Sequence, residues 1–380
     1  MRPFTFQYGP KLIAGAGGAE RLPELLPVGP CLFVTDAQVV ALGLAEPFLA
    51  ALRVTRDVAI FDAVEADPSR ATLLAAVEAG RATGATSVVG FGGGSPMDIA
   101  KLAAYLLGSG DDLDAIWGVE IAQGRGLPLV LVPTTAGTGS EATPLSIITV
   151  ENGTKLAVSA RALTAGWALL DPTLTVGLPR HVTAATGIDA IVHAIEAFTS
   201  TRLKNPLSDA LAKEALRLLS ANLQRACDRP DDLDARGAML LGAHLAGVAF
   251  SNAPVAGVHA LAYPLGGLHH LPHGLSNALM LRHVLQHNAA AAREHYGELG
   301  EIVAPDCAGQ SSEARAGALV DTLDRMIGAC GLAPRLRDHG IAEADLPVLA
   351  REAMKQTRLL QNNPCPIDEA DARRLYQAAW

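Results

Sequence analysis

From the start of the chain to about residue 180, short apolar runs alternate with longer Ala- and Leu-rich stretches. Cys31-Leu-Phe-Val-Thr, Val58-Ala-Ile-Phe, Ser87-Val-Val-Gly-Phe and Leu127-Pro-Leu-Val-Leu-Val-Pro read as buried strands, and 69–82 reads as a helix. Such alternation predicts a largely parallel sheet covered by helices. Beyond about Pro179 strand-like runs nearly vanish and a helical period takes over. Helices are expected over 182–199, 206–226, 232–252, 274–293, 312–330, 343–360 and 367–379. The pattern therefore divides the chain into an α/β domain over 1–180 and an all-α domain over 181–380. At 380 residues the chain is long enough for two cores.

In open parallel sheets ligands bind beyond the carboxyl ends of the strands, so the loops there carry the first candidate chemistry. Gly90-Phe-Gly-Gly-Gly-Ser-Pro-Met-Asp98 precedes a helical run. Consecutive glycines let backbone N–H groups approach a bulky anion, and a helix N-terminus favours negative charge. Ser95 is expected to cap that helix, with Pro96 in its first position and Asp98 closing a capping box. Pro133-Thr134-Thr135-Ala-Gly-Thr138-Gly-Ser-Glu141 also follows a strand, and its hydroxyls suit ribose and phosphate. Gly15-Ala-Gly-Gly18 lacks the dinucleotide spacing and reads as a turn. Asp36 follows the Cys31 strand. An acid there can bind ribose hydroxyls and repel a 2′-phosphate, although a capping or turn role is the commoner use of such an Asp.

In the helical half, Asp189 and His193 are four apart in a run without internal Gly or Pro, which puts them on one helix face. His259, His269, His270 and His273 cluster further on. One carboxylate and three imidazoles, from Asp189, His193, His259 and His273, suit Fe(II) or Zn(II) better than calcium or magnesium. His269 and His270, being adjacent, cannot both face one pocket. His283 and His287 read as surface or supporting residues; Glu196, one turn beyond His193, could orient a ligand, although an ordinary surface carboxylate is the commoner use of such a residue.

Charge and cysteines narrow the setting. A net charge of −9 without a basic run argues against nucleic-acid backbone binding. Five scattered cysteines without a CxxC pair fit reduced thiols and a cytoplasmic location. The first residues lack the apolar core of a secretory leader, and no apolar stretch approaches the length of a membrane span.

Together, Gly92-Gly-Gly-Ser-Pro-Met-Asp98, Pro133-Thr-Thr-Ala-Gly-Thr-Gly-Ser-Glu141, Asp189-x-x-x-His193 and His259…His273-Gly resemble the iron-containing (group III) alcohol dehydrogenases. Leu170-Asp-Pro-Thr-Leu-Thr and Asn363-Pro extend the resemblance over nearly the whole chain. It implies a Rossmann-like dinucleotide-binding domain followed by a helical metal-binding domain, in a dehydroquinate synthase-like architecture. It also implies hydride transfer between NAD(H), rather than NADP(H), and an alcohol/carbonyl pair, with Fe(2+) or Zn(2+) at Asp189, His193, His259 and His273. Gly93, Gly94, Ser95 and Asp98 match the first cofactor loop, and Thr134, Thr135 and Thr138 the second. Lys155 matches a lysine near the nicotinamide ribose, and Asp36 an acid associated with NAD preference. Where the family often has a proton-relay histidine four residues after the third ligand, this chain has Tyr263. The proton route is thus divided among Tyr263, His269, His270 and water. Family members are often dimers or larger, so a homo-oligomer acting on a small alcohol or aldehyde is expected.

Rival readings are a metal-free reductase resembling maleylacetate reductases, a glycerol-dehydrogenase-like zinc enzyme, a hydroxyacid–oxoacid transhydrogenase and a non-catalytic nucleotide-binding assembly protein.

Overall fold

A computed structural model describes residues 3–150 and 154–380. Met1 and Arg2, on which the reading of the chain's start partly rests, lie outside the described residues. The chain forms two compact units: Tyr8–Val176, and Gly177–Trp380 together with the described part of Met1–Gln7.

In the first unit, nine strands are β1 Lys11–Ala14, β2 Cys31–Val34, β3 Val58–Phe61, β4 Ser87–Gly92, β5 Gly118–Val119, β6 Leu129–Pro133, β7 Leu145–Thr149, β8 Lys155–Ser159 and β9 Trp167–Leu170, counted among the described residues. Six form a parallel sheet in the order β1-β9-β6-β4-β2-β3, and β5, β8 and β7 form a smaller mixed sheet. The central strands are continuous apolar runs because both faces are covered. Leu32 and Val34 enter one core cluster, while Cys31 and Phe33 enter another.

The expected strands form close to their predicted places, whereas β1, β5, β7, β8 and β9 are additional to the sequence reading. β1 is mostly exposed at the sheet edge, and β7 alternates burial along a short run. Neither offers a long apolar signal. Gly15 and Gly17 take positive φ as the chain turns out of β1, in keeping with the turn read there.

The second unit is helical. Arg180–Thr199, Pro206–Asp228 and Leu233–Asn252 pack together, and Gly257–His269, His273–Asn288, Arg293–Val303, Ser312–Ala329 and Glu369–Ala379 complete its longer helices. Its N-terminal segment is tied in by Asn252, whose Oδ1 accepts from Gln7 N at 2.7 Å and whose Nδ2 donates to Gln7 O at 2.9 Å. Among the described residues, no single helix is long and apolar enough to cross a membrane.

Three local expectations are corrected. The predicted helix over 343–360 is broken into a short 3-10 turn, Leu346–Met354 and Thr357–Leu360, with Pro347 in the first turn of the middle piece. Arg293–Val303 forms a helix of its own after the one ending at Asn288. Gly257–His269 is a helix in spite of Pro264, Gly266 and Gly267.

Close approach explains two glycines in this unit. A Cβ on Gly274 would lie 2.2 Å from the Ala185 carbonyl oxygen, so only glycine lets the His273 helix lean on the Asp189 helix. A Cβ on Gly257 would lie 2.6 Å from Asn363 Oδ1. The second contact seats the start of the His259 helix against Asn363 and its reciprocal amide partner Asn288.

Candidate active site

Arg180–Thr199 is buried along nearly its whole length, which places Asp189, His193 and Glu196 in the interior of the helical unit. Asp189 and His193 are 2% and 5% exposed. His259 comes from the first turn of Gly257–His269, and His273 is the first residue of the next helix. These four residues offer ligand atoms that all lie within 4.8 Å of one another. Asp189 Oδ1 is 3.9 Å from His193 Nε2, 3.7 Å from His259 Nε2 and 3.5 Å from His273 Nε2. Ligand atoms about 2.1 Å from a tetrahedral ion stand roughly 3.4 Å apart, so the three Asp189 distances already approach those of a bound divalent transition ion.

Burial alone would push the Asp189 carboxyl up. The imidazoles of His193, His273 and His259 and the Asn277 amide outweigh it and hold the group below the ordinary carboxylate range. His193 is stacked on Phe250 at 4.4 Å and on His259 at 4.7 Å between ring centres. His273 is the group's opening to solvent, with 43% of its side chain exposed.

Glu196 is the first correction here. It is 3% exposed and not a surface carboxylate. Its Oε1 accepts from Val258 N at 2.6 Å, and its Oε2 accepts from Ala256 N at 2.9 Å. Oε2 also lies 2.7 Å from His259 Nδ1. An ionised carboxylate only accepts, so Nδ1 carries the hydrogen and Nε2 keeps its lone pair toward Asp189. One side chain therefore caps the start of a helix and fixes the tautomer of the histidine on it.

Of the three candidates for proton transfer, Tyr263 stands beside the group. Its ring centre is 5.8 Å from that of His273 and 6.4 Å from that of His259. His269 instead approaches Asp345 at 3.8 Å, and His270 forms the left-handed C-cap of its helix. Neither His269 nor His270 joins the four-residue group. His287 Nε2 lies 3.0 Å from the Pro366 carbonyl oxygen, and burial pushes His283 down from the usual imidazole range.

The loops of the α/β unit come together at the carboxyl ends of β2, β4 and β6, which are neighbours in the sheet. Gly92 pairs with Pro133, and Thr134 N donates to Gly92 O at 2.9 Å. A Cβ on Gly93 would sit 3.8 Å from Thr135 Oγ1, and one on Gly94 would sit 3.1 Å from Thr138 Cγ2. Asp36 accepts from Val39 N at 2.8 Å as a helix cap, while its second oxygen lies beside Gly92.

The capping-box reading of Ser95 and Asp98 is overturned. The helix runs Gly94–Ser109 with Gly93 as its cap, and Ser95 lies inside the first turn. Asp98 turns inward, accepting from Ser140 Oγ at 2.6 Å and Ile147 N at 2.9 Å. Lys101, fully buried and unremarked in the sequence, donates to Asp98 at 3.0 Å and to Ser140 Oγ at 2.8 Å, locking the second loop to this helix. Lys155 pairs with Asp67 at 2.6 Å.

Parallel-sheet loops and an Asp/His₃ group, buried but for His273, mark a metal-assisted dehydrogenase, and the comparisons with known proteins agree. Residues 9–172 match the iron-containing alcohol dehydrogenase model, and 183–380 match the C-terminal model of the Fe-containing alcohol dehydrogenase family. The chain is 39% identical to long-chain-alcohol dehydrogenase 1 of Geobacillus thermodenitrificans over 373 residues, covering 96% of this chain and 94% of that one. The crystal structure of a 1,3-propanediol oxidoreductase is similar across 100% of both chains, with a TM-score of 0.96 and 33% identity. Sulfoacetaldehyde reductase from Bifidobacterium kashiwanohense, solved in complex with NAD+, gives a TM-score of 0.89 at 27% identity over 100% of this chain and 99% of that one. The chain belongs to the iron-containing alcohol dehydrogenase family and is an oxidoreductase acting on CH–OH groups.

The carboxylate of Glu196 serves three donors, so its loss leaves all three without that acceptor. Glu196→Ala is expected to lower the unfolding free energy by roughly 3 kcal/mol or more. Glu196→Gln, which keeps one acceptor oxygen, should lose about half of that. Urea denaturation checks both, and an unchanged midpoint for the alanine variant would refute the assignment.

Proposed function

We propose that Tyr8–Val176 is the dinucleotide-binding domain and that Gly177–Trp380 holds a catalytic Fe(2+), or Zn(2+) in its place, on Asp189, His193, His259 and His273. The observation that carries the reading is the convergence of one carboxylate and three imidazoles, from three helices, to within 4.8 Å. Hydride exchange between NAD(H) and an alcohol/carbonyl pair follows as the reaction, the hydride chemistry belonging to the nicotinamide. The metal, when bound, supplies Lewis-acid polarisation of the substrate oxygen.

The chain's own residues then hold, orient and move protons. Gly93, Gly94 and Ser95 form the glycine-rich helix start that receives the pyrophosphate, with Thr134, Thr135 and Thr138 beside it. Asp98 acts through the second loop, which it fixes with Lys101. Lys155 is read as a group on the ribose side, balanced by Asp67. Tyr263 is placed better than His269 or His270 to hand on the alcohol proton. NAD over NADP is supported by Asp36 beside Gly92, and by the NAD+ complex of the sulfoacetaldehyde reductase.

The reading includes a cytoplasmic homo-oligomer. Five free thiols fit a reducing compartment, and the exposed edge strand β1 has backbone groups open to pairing with a second copy. Sedimentation equilibrium is expected to return a dimer or larger. A monomer at micromolar concentration would remove that part of the reading.

Asp189→Ala and His193→Ala are each expected to abolish turnover and metal retention while leaving NADH fluorescence titrations largely unchanged. Elemental mass spectrometry on protein purified without oxygen or chelator should find about one iron or zinc per chain. Protein without metal that still reduces aldehydes with NADH would move the reading to a metal-free reductase.

Asp36→Asn keeps an oxygen for the Val39 cap and removes the charge. The ratio of kcat/KM for NADH over NADPH should fall by roughly tenfold, about 1.4 kcal/mol. An unchanged ratio would show that Asp36 serves only as a cap.

A further inference from the structure

Asn277 is fully buried on the His273 helix, one turn after His273. Its Nδ2 lies 2.6 Å from Asp189 Oδ1, 3.2 Å from His259 Nε2 and 3.3 Å from His273 Nε2. The orientation of the amide follows from chemistry. Asp189 Oδ1 can only accept, so the atom against it must be the NH2, because the amide oxygen there would meet a second acceptor. Two hydrogens then serve three acceptors: one takes the short bond to Asp189, and the other is shared between the two imidazoles.

The remaining atom sharpens the point. Asn277 Oδ1 is buried with no hydrogen-bond partner among the described residues. A buried carbonyl without a partner costs free energy that an apolar side chain of the same size would not. Burying an amide here makes physical sense only if its NH2 does something an apolar group cannot.

We propose that Asn277 is a positioning residue of the metal centre. Its donor holds Asp189 Oδ1 and the Nε2 lone pairs of His259 and His273 turned toward one point, against their mutual repulsion. His259 is then fixed from both sides, giving its Nδ1 hydrogen to Glu196 and receiving Asn277 at Nε2. With an ion bound, the imidazole lone pairs are committed to it. Asn277 would then keep its bond to Asp189 and orient that carboxylate. The inference rests on the metal-centre reading above and adds a residue to it.

The test uses the full-length protein, stripped with chelator and titrated with Zn(2+) against a chromophoric competitor, and with Co(2+) for its visible absorption. Asn277→Ala removes the donor, and Asn277→Leu removes it while keeping the bulk, so loss of packing is separated from loss of the hydrogen bonds. Both variants are expected to keep the wild-type far-ultraviolet circular dichroism. Both should bind Zn(2+) ten- to a hundredfold more weakly, the usual consequence of removing an outer partner of the ligands, and both should shift the Co(2+) bands. Recovery of wild-type affinity and spectrum in Asn277→Leu overturns the proposal, leaving a packing role. Wild-type binding in Asn277→Ala overturns it as well. Asp189→Ala run in parallel separates the two levels. If it binds Zn(2+) like the wild type, the metal centre itself is wrong. If it has lost binding while the Asn277 variants have not, only the role of Asn277 fails.

Discussion

The helical unit depends on how the buried charge of the Arg180–Thr199 helix is compensated. Asp189 and Glu196 sit two turns apart on it, each almost fully out of water. An isolated carboxylate in that position would be too costly to keep ionised. Glu196 is satisfied by two backbone N–H groups at the start of the His259 helix and by the His259 ring. Asp189 takes the hydrogen bond of the buried Asn277 amide. The two compensations are linked through His259, which stands between the carboxylates. Packing of three helices and ordering of the candidate ligands are thus one construction.

The α/β unit solves a similar problem with opposite charge. Lys101 is a fully buried ammonium whose partners are Asp98, Ser140, Thr143 and the Leu145 carbonyl. Those partners come from the first loop's helix and from the second loop and the strand after it. A charge in the interior therefore fixes the loops over the strand ends, and the glycines between them leave their backbone groups accessible. Rigid support beneath an open backbone is what anion recognition at a helix start requires.

Much of this was legible before any coordinates. The central strands are long apolar runs because they are covered on both faces, and the Asp189–His193 pair follows from helical period alone. The misses share a cause. β1 and β7 draw their order from neighbours in the sheet, not from their own composition. Gly257–His269 contains residues that disfavour a helix, and its start is held by Glu196 and Asn363 from elsewhere in the chain. Glu196, one turn beyond His193, was open to a ligand-orienting role on spacing alone, and the same rule could have flagged Asn277, four residues after His273. What the rule cannot say is whether such a residue faces inward.

The order of α/β and helical halves, the glycine- and hydroxyl-rich loops at strand ends and the Asp189–His193 pair can be read along the chain, because periodicity and spacing are local properties, and the family resemblance matches His259 and His273 out of the histidine cluster. Tertiary structure alone decided which polar residues were withdrawn from water. Glu196, Asn277, Lys101 and Asp98 are unexceptional in composition, and their roles come chiefly from partners 18 to 88 residues away. His269 and His270, prominent in the sequence, fell outside the four-residue group because the helix that aims His259 inward ends at them. A hydrogen bond is fixed by the position of both atoms, and only the folded chain supplies the second.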